Sequence, residues 1–277
     1  MIRGTTTLIA HFGDPIAPVK SPMIYNPYFE SSGIDAAVIP MGVRAADYPD
    51  VMKAVFRFTN IRGALVTMPH KVTTVGLVHE CSTAVRIAGS CNAILRRADG
   101  SLLGDLFDGA GFVCGLERKG FRFTGARCLV VGTGGVGSAI AAALAAAGPT
   151  AISLFDANAA SAEALAGRLR QHYPELEIRT GTNDPAGFDL VVNATPLGMN
   201  ADDPLPLDVA RLDPKTFVGE VVMKQQITPF LQAARDKGCP IQVGTDMLFE
   251  QIPAYLEFFG FGTATPEELR AVSPIKG

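Results

Sequence analysis

Short apolar runs alternate with amphipathic segments along the first part of the chain. Strands are predicted at Thr5–Phe12, Ala36–Pro40 and Gly63–Met68, and helices at Pro22–Ser32 and Asp47–Phe56. Short apolar strands separated by helices are typical of a mostly parallel sheet. The pattern therefore predicts an α/β protein.

A second α/β succession follows the turn signal Asp99-Gly100. The apolar strand Arg127–Val131 leads directly into the loop Gly132–Gly137 and then into an Ala-rich helical segment. Further strands are predicted at Ala151–Phe155, Leu176–Thr180, Leu190–Asn193, Thr216–Val222 and Pro240–Val243. This order predicts a doubly wound, Rossmann-type domain.

Two domains are expected from these patterns. An N-terminal α/β domain would cover residues 1–112 and be completed by residues 245–277, while the Rossmann-type domain would cover residues 113–244. A single apolar helix at Met247–Phe259 is predicted to return the chain to the first domain. Val72–Glu80 is predicted to form the start of another helix.

Composition narrows the classes of function. The 277 residues carry 24 Lys and Arg against 27 Asp and Glu, so no basic field favours nucleic acid or an anionic membrane. No apolar run reaches the roughly 20 residues of a membrane-spanning helix. Met1–Ala10 is too polar for a signal peptide, which predicts a cytoplasmic protein. The scattered five Cys and four His predict no metal site.

The glycine loop has the pattern of a dinucleotide site. Its first glycine, Gly132, permits a tight turn, Gly134 lets backbone approach a pyrophosphate, and Gly137 allows close helix packing. Gly135 and Val136 complete the loop. Asp156 ends the next strand, where a carboxylate would meet ribose hydroxyls and repel a 2′-phosphate, so NAD is predicted over NADP. If Asp156 only caps the following helix, the cofactor preference stays open.

Two further residues carry candidate chemistry. Lys71 closes the segment Val66–Lys71 at the carboxyl end of a predicted strand, where parallel sheets place their sites. It is the strongest acid/base candidate, with a solvated lysine at a helix start as the alternative. Asp108 lies in an apolar, Gly-flanked loop, and its alternative is a turn cap.

The chain resembles the shikimate dehydrogenase family over nearly its whole length. Six segments in the family's order carry this resemblance: Pro15–Asn26 with Lys20-Ser21-Pro22, Val66–Lys71, Gly89-Ser90-Cys91-Asn92, Gly104–Phe112, Gly132–Gly137 with Asn193–Met199, and Thr228-Pro229-Phe230 followed by Gly244–Gln251.

The resemblance implies a substrate domain for a cyclic hydroxy acid and a Rossmann domain for the nicotinamide nucleotide. It implies that Lys71 and Asp108 form a catalytic dyad, in which Lys71 relays the proton of the reacting hydroxyl. Thr195 and Gly244 match positions beside the nicotinamide. The positions that hold substrate oxygens are matched by Ser21, Thr67, Asn92 and Gln251. The alternative for Ser21 and Thr67 is that each only caps a helix. The alternative for Gln251 is that it only lines the final helix.

Three positions depart from the family's polar pattern. Val19 replaces a serine of the family pattern, Leu106-Phe107 replaces an Asn-Thr pair, and Met223 replaces a tyrosine. Each missing partner would cost about 1–3 kcal/mol if a substrate oxygen were left unpaired. These changes predict a weaker fit for shikimate or a different ring substituent.

The leading hypothesis is an NAD-dependent dehydrogenase of a shikimate- or quinate-like acid. The alternatives are an aminoshikimate-type or other polyol dehydrogenase, and a nucleotide-binding regulator without turnover. The expected partner is a small cyclic hydroxy acid, without nucleic acid or membrane, and the expected state is a monomer or homodimer.

Overall fold

The computed structural model describes residues 2–200 and 202–275. The chain divides into two compact units, which we call the discontinuous unit (Met1–Phe107 with Ile252–Gly277) and the continuous unit (Asp108–Gln251). The boundaries drawn from the sequence, after residues 112 and 244, fall within the first and last helices of the continuous unit. The C-terminal chain does return to the first unit, as predicted.

Strands and helices alternate through both units. The strands are β1 (Thr7–Gly13), β2 (Ala36–Gly42), β3 (Ile61–Val66), β4 (Glu80–Cys81), β5 (Ala93–Arg96), β6 (Leu102–Asp105), β7 (Arg127–Val131), β8 (Ala151–Phe155), β9 (Glu177–Thr180), β10 (Leu190–Asn193), β11 (Phe217–Glu220) and β12 (Ile241–Gln242). The α-helices are α1 (Pro22–Ser31), α2 (Tyr48–Val55), α3 (Lys71–Val75), α4 (Thr83–Ala88), α5 (Asp108–Arg118), α6 (Gly135–Ala147), α7 (Ala159–His172), α8 (Pro229–Asp236), α9 (Gly244–Glu250), α10 (Ile252–Phe259) and α11 (Pro266–Val272).

The sheet of the discontinuous unit has the strand order β2-β1-β3-β5-β6-β4. β1 is parallel to both of its neighbours, because helices connect these strands. β5 and β6 are antiparallel, because a short turn with Gly100 at φ +85° joins them. The parallel part therefore carries the strand ends that the sequence predicted to form a site.

Helices pack closely on this sheet. Asn26 of α1 donates to the Val38 carbonyl oxygen and accepts from the Val38 N–H, at 3.0 and 2.7 Å. On α10, the ring of Phe259 occupies the space a side chain at Gly63 would need, 2.5 Å from its Cβ position. These contacts fix the first and last parts of the chain to the same sheet.

The sheet of the continuous unit is parallel throughout, in the order β12-β11-β10-β7-β8-β9. The order in which strands are added reverses at β7: β8 and β9 lie on one side of it, and β10, β11 and β12 lie on the other. Open α/β sheets bind ligands at the carboxyl ends of strands at such a switch point. The predicted Rossmann-type fold is confirmed.

Two helix predictions are wrong. The helix expected at Met247–Phe259 is two helices, α9 and α10, separated at Gln251, because Pro253 has no N–H and fits only the first turn of a new helix. The helix expected within Val72–Glu80 ends at Val75, where Gly76 follows, and β4 begins at Glu80.

Candidate active site

Thr67 and Lys71 stand at the carboxyl end of β3. The Thr67 N–H donates to the Phe12 carbonyl oxygen of β1 at 2.9 Å. Lys71 is the first residue of α3, and its carbonyl oxygen accepts from the Cys91 N–H at 2.9 Å. Lys71 is half-buried rather than fully solvated. The strand end and the loop before β5 thus hold the lysine backbone in place.

His70 fixes the start of α3 from the other side. Its imidazole is buried, stacks on Tyr48 with ring centroids 4.0 Å apart, and places Nε2 2.9 Å from the Val43 carbonyl oxygen. His70, not Thr67, occupies the cap position of α3. The cap alternative for Thr67 on this helix is therefore not seen.

Asn92 lies beside this strand end with an unused donor. Its carbonyl oxygen accepts from the Val66 N–H at 2.8 Å, and its Oδ1 accepts from the Phe107 N–H at 3.0 Å. The side chain is buried, yet Nδ2 has no hydrogen-bond partner. Leaving a buried donor unpaired costs about 1–3 kcal/mol. This amide suits an oxygen of a bound ligand.

Ser21 directly precedes α1 and is not among the residues whose hydrogen bonds hold the end of β3 and the start of α3. It is half-buried and makes no capping hydrogen bond to the helix. Of the three apolar replacements, Leu106 is a core residue at 4% exposure, whereas Met223 is 36% exposed. Val19 is half-buried. Val19 and Met223 thus remain more accessible than Leu106.

Asp108 and Gln251 both belong to the continuous unit. Asp108 is the first residue of α5 and is buried. One turn later, a side chain at Gly111 would start 2.6 Å from Cβ of Gln251, so the glycine lets α5 approach the end of α9. Gln251 presents a buried Oε1 with no hydrogen-bond partner. The structure therefore brings these two predicted residues to neighbouring turns.

The glycine loop connects β7 to α6 as predicted. Gly132 has φ +100°, a conformation that favours glycine, and a side chain at Gly137 would start 2.0 Å from the Gly132 carbonyl oxygen. The space beyond Gly134 and Gly135 is open, and both are exposed. Val136 is in the first turn of α6. A backbone cradle open at the start of a helix fits a dinucleotide pyrophosphate.

Asp156 is tied to this loop by hydrogen bonds. Its Oδ2 accepts from Thr133 N–H at 2.7 Å and from Thr133 Oγ1 at 2.9 Å, and its Oδ1 accepts from the Asn158 N–H at 2.9 Å. Burial raises the pKa of Asp156, and these hydrogen bonds outweigh it and hold the pKa below its usual value. The carboxylate is a structural anchor between β8, the loop and α7.

Thr195 is part of a hydrogen-bond network at the end of β10. Its N–H and Oγ1 donate to Asn193 Oδ1 at 3.1 and 2.6 Å, and Asn193 Nδ2 donates to the Leu197 carbonyl oxygen. Gly244 begins α9, where a side chain would start 2.2 Å from the Val222 carbonyl oxygen. The close backbone therefore requires a glycine at position 244, the second of the two positions predicted to lie beside the nicotinamide.

One buried polar residue in each unit was not predicted. Glu220 lies opposite Asn193 in the sheet, is fully buried, and accepts from Thr228 Oγ1 at 2.9 Å. Burial raises the pKa of Glu220 to about 7, against the effect of hydrogen bonds from Thr228 and Asn193. His11 is buried in β1. Their signal in the sequence was a polar residue inside an otherwise apolar predicted strand.

The continuous unit, a parallel sheet with an open glycine loop at its switch point, has the form of a dinucleotide-binding domain. Residues 12–94 match the family model described as the shikimate dehydrogenase substrate binding domain. The chain is 34% identical over 254 residues to shikimate dehydrogenase (NADP(+)) of Rubrobacter xylanophilus, covering 90% of this chain and 89% of that protein. The protein belongs to the shikimate dehydrogenase family, as the sequence motifs predicted.

Solved structures agree with this assignment. Shikimate 5-dehydrogenase from Listeria monocytogenes, in complex with shikimate and NAD, has a TM-score of 0.91 at 25% identity, covering 98% of this chain and 97% of that one. The ligand-free 5-ketofructose reductase of a Gluconobacter strain has a TM-score of 0.88 at 25% identity, covering 98% of both chains.

The prediction of NAD over NADP is wrong. The Rubrobacter relative and further curated relatives at 32–33% identity are shikimate dehydrogenases named for NADP(+). The prediction rested on a carboxylate at Asp156 turned toward the ribose. In the structure, both oxygens of Asp156 accept hydrogen bonds, one from Thr133 and one from Asn158. The carboxylate therefore anchors the glycine loop, and its position does not indicate a preference for NAD.

Among residues 2–200 and 202–275, no helix is long and apolar enough to cross a bilayer. In the same part of the chain, no group of three or more His, Cys, Asp or Glu side chains is arranged to hold a metal ion.

Proposed function

We propose that this protein is an NADP-dependent dehydrogenase that interconverts a secondary alcohol and a ketone on the ring of a shikimate- or quinate-like hydroxy acid. The observation that carries this function is the cluster of Thr67, Lys71 and Asn92 at the carboxyl end of β3. The cluster lies inside the segment that matches the family's substrate binding domain. The discontinuous unit accordingly takes the substrate and the continuous unit the nucleotide.

Lys71 and Asp108 are the groups proposed to handle the proton. Hydride exchange with the carbinol carbon is the chemistry that a nicotinamide nucleotide held by the continuous unit would supply. In the reducing direction, the Lys71 ammonium donates a proton to the substrate oxygen as the ketone becomes an alcohol, and in the oxidising direction the amine takes it back. Asp108 accepts a hydrogen bond from the same hydroxyl. Positioned proton transfer of this kind contributes about 10²–10⁴-fold to a rate.

The remaining substrate oxygens have partners among the predicted residues. Asn92 offers an unpaired Nδ2 donor, and Gln251 an unpaired Oε1 acceptor. The hydroxyls of Ser21 and Thr67 are not used as caps of α1 and α3. A polyol with a carboxylate supplies the donors and acceptors that complement this set.

The start of α7 supports the binding of NADP without an arginine after Asp156. α7 directly follows the Asp156-Ala157-Asn158 turn, and the first N–H groups of a 14-residue helix favour an anion. Ser161 Oγ lies 2.9 Å from Thr133 Oγ1, whose hydroxyl donates to Asp156, so Ser161 serves the loop anchor. We propose that the first N–H groups of α7 receive the 2′-phosphate.

An uncharged polyol or keto sugar is a second candidate substrate. Val19 removes one hydroxyl from the region expected to bind a carboxylate, and the 5-ketofructose reductase of Gluconobacter shares the fold over 98% of its chain. A panel of shikimate, quinate, aminoshikimate and 5-ketofructose, each with NADP(H) and NAD(H), tests both candidates. The proposed function fails if none of the ring acids is turned over.

Location and assembly complete the proposed function. All five cysteines are free thiols, which is typical of a reducing compartment, and we place the protein in the cytoplasm. We expect a monomer or homodimer, which light scattering on the purified protein measures directly.

A further inference from the structure

His11 occupies an unusual place for an imidazole. It lies in β1, between Pro40 of β2 and Leu65 of β3 in the register of the sheet, and is 5% exposed. Its Nδ1 is buried and has no hydrogen-bond partner. An apolar side chain would fill this position without the desolvation penalty of a polar atom. Packing alone therefore gives no reason for a histidine here.

The face from which His11 projects leads to the proposed substrate residues. Gly13 shares this face, because alternate residues of a strand point the same way. A side chain at Gly13 would start only 2.5 Å from Cγ2 of Thr67. The side chain of Thr67 therefore lies over the face that carries His11.

Lys71 is close enough to act on His11 electrostatically. Burial, and to a smaller degree the positive charge of Lys71, lowers the pKa of His11 to about 4. The imidazole is therefore neutral near pH 7, with one N–H donor and one acceptor nitrogen. A neutral ring suits an uncharged oxygen better than a carboxylate.

We propose that His11 is a specificity determinant of the substrate site, and that its Nδ1 forms a hydrogen bond with an uncharged substrate oxygen, a ring hydroxyl other than the one that is oxidised. This role rests on the proposed function. It extends the site from Thr67 and Lys71 to the middle of β1.

Steady-state kinetics with matched substrates test this role. Wild type, His11→Val and His11→Asn are compared at saturating NADP on shikimate and on two analogues that each lack one non-reacting ring hydroxyl. We expect wild type to prefer shikimate about tenfold in kcat/KM over one analogue, as one hydrogen bond allows. His11→Val should abolish this preference by a change in KM and should leave the melting temperature unchanged or higher. His11→Asn should retain part of the preference.

His79→Asn is the matched control. His79 is an exposed histidine of the same unit whose Nδ1 accepts from the Leu102 N–H at 2.9 Å, and an asparagine can keep an acceptor there. We expect its kinetics to equal those of wild type.

The outcomes separate the two proposals. If both His11 variants discriminate among the substrates as wild type does, His11 has no such role and the proposed function stands. If His11→Val does not fold, His11→Asn alone decides by the same comparison. If wild type turns over none of the three compounds and neither quinate nor aminoshikimate, the proposed function fails and the role of His11 fails with it.

Discussion

The backbone N–H of Thr133, inside the glycine loop, donates a 2.7 Å hydrogen bond to Oδ2 of Asp156 at the end of β8. The Thr133 hydroxyl donates to the same oxygen, and Asn158 N–H donates to the other. One carboxylate thus joins the glycine loop, the end of β8 and the start of α7. Its position in the sequence matches a ribose-binding acid, but its contacts are those of a loop anchor.

Removal of this anchor should weaken the binding of both cofactors. In Asp156→Ala, two backbone N–H groups lose their acceptor, at about 1–3 kcal/mol for each one left buried and unpaired. We expect Kd for NADP and NAD, measured by calorimetry, to rise together by about tenfold or more. Asp156→Asn, which keeps one acceptor oxygen, should lose less. A change confined to NAD would show that the carboxylate acts on the ribose instead.

Lys71→Ala and Asp108→Ala should each lower kcat by roughly 10²-fold or more, as expected for groups that position or transfer a proton. NADP affinity should stay near the wild-type value in Lys71→Ala, because Lys71 lies outside the unit that carries the glycine loop. Initial rates and calorimetry measure the two effects separately. Normal turnover by Lys71→Ala would remove it from the proposed mechanism.

Glu220 should make stability depend on pH. Its folded-state pKa is about 7, above the ordinary value of 4.5, because burial disfavours the charged form. The folded protein therefore binds more protons than the unfolded chain between these values, so this group's contribution to stability falls as pH rises through that window. Glu220→Gln keeps an acceptor for Thr228 and removes the titration. Urea unfolding from pH 5 to 8 should show the variant gaining stability relative to wild type, and a constant difference would contradict this.

Two polar substitutions should improve the use of shikimate. Val19→Ser and Met223→Tyr each add a hydroxyl at a position that is not part of the core. A new hydrogen bond of about 0.5–1.5 kcal/mol would raise kcat/KM for shikimate by up to about tenfold. Leu106→Asn is the contrasting variant, because Leu106 is 4% exposed and a polar group there should lower stability. If Val19→Ser and Met223→Tyr change nothing and wild type prefers another ring acid, the pocket is built for that acid.

Strong local patterns made most of the fold predictable. β7, β8 and β10 have the bounds expected from their apolar runs, and the glycine loop located the switch point of the sheet. The weaker elements were harder. β5 and β6 are four residues each and form a hairpin, so their period is too short to recognise. The break at Gln251 depends on Pro253, and apolar residues typical of a helix stand on both sides of it.

Candidate site residues were predictable where a motif carried them, and less so where burial decides their role. The hydrogen bond from Asn158 to Asp156 lies within one short turn, but nothing local to Asp156 indicates that Thr133 occupies its other oxygen, because that contact joins residues 23 positions apart. His11 and Glu220 stand out in the sequence as polar residues within predicted strands, but only the structure shows that both are buried.

The most direct measurement is the reduction of NADP by the purified protein with shikimate, followed by absorbance and by identification of the product. We predict an NADP-dependent ketone product and at least tenfold higher kcat/KM with NADP than with NAD, which corresponds to about 1.4 kcal/mol. Absence of turnover with shikimate, quinate and aminoshikimate, or equal or better turnover with NAD, would contradict this account.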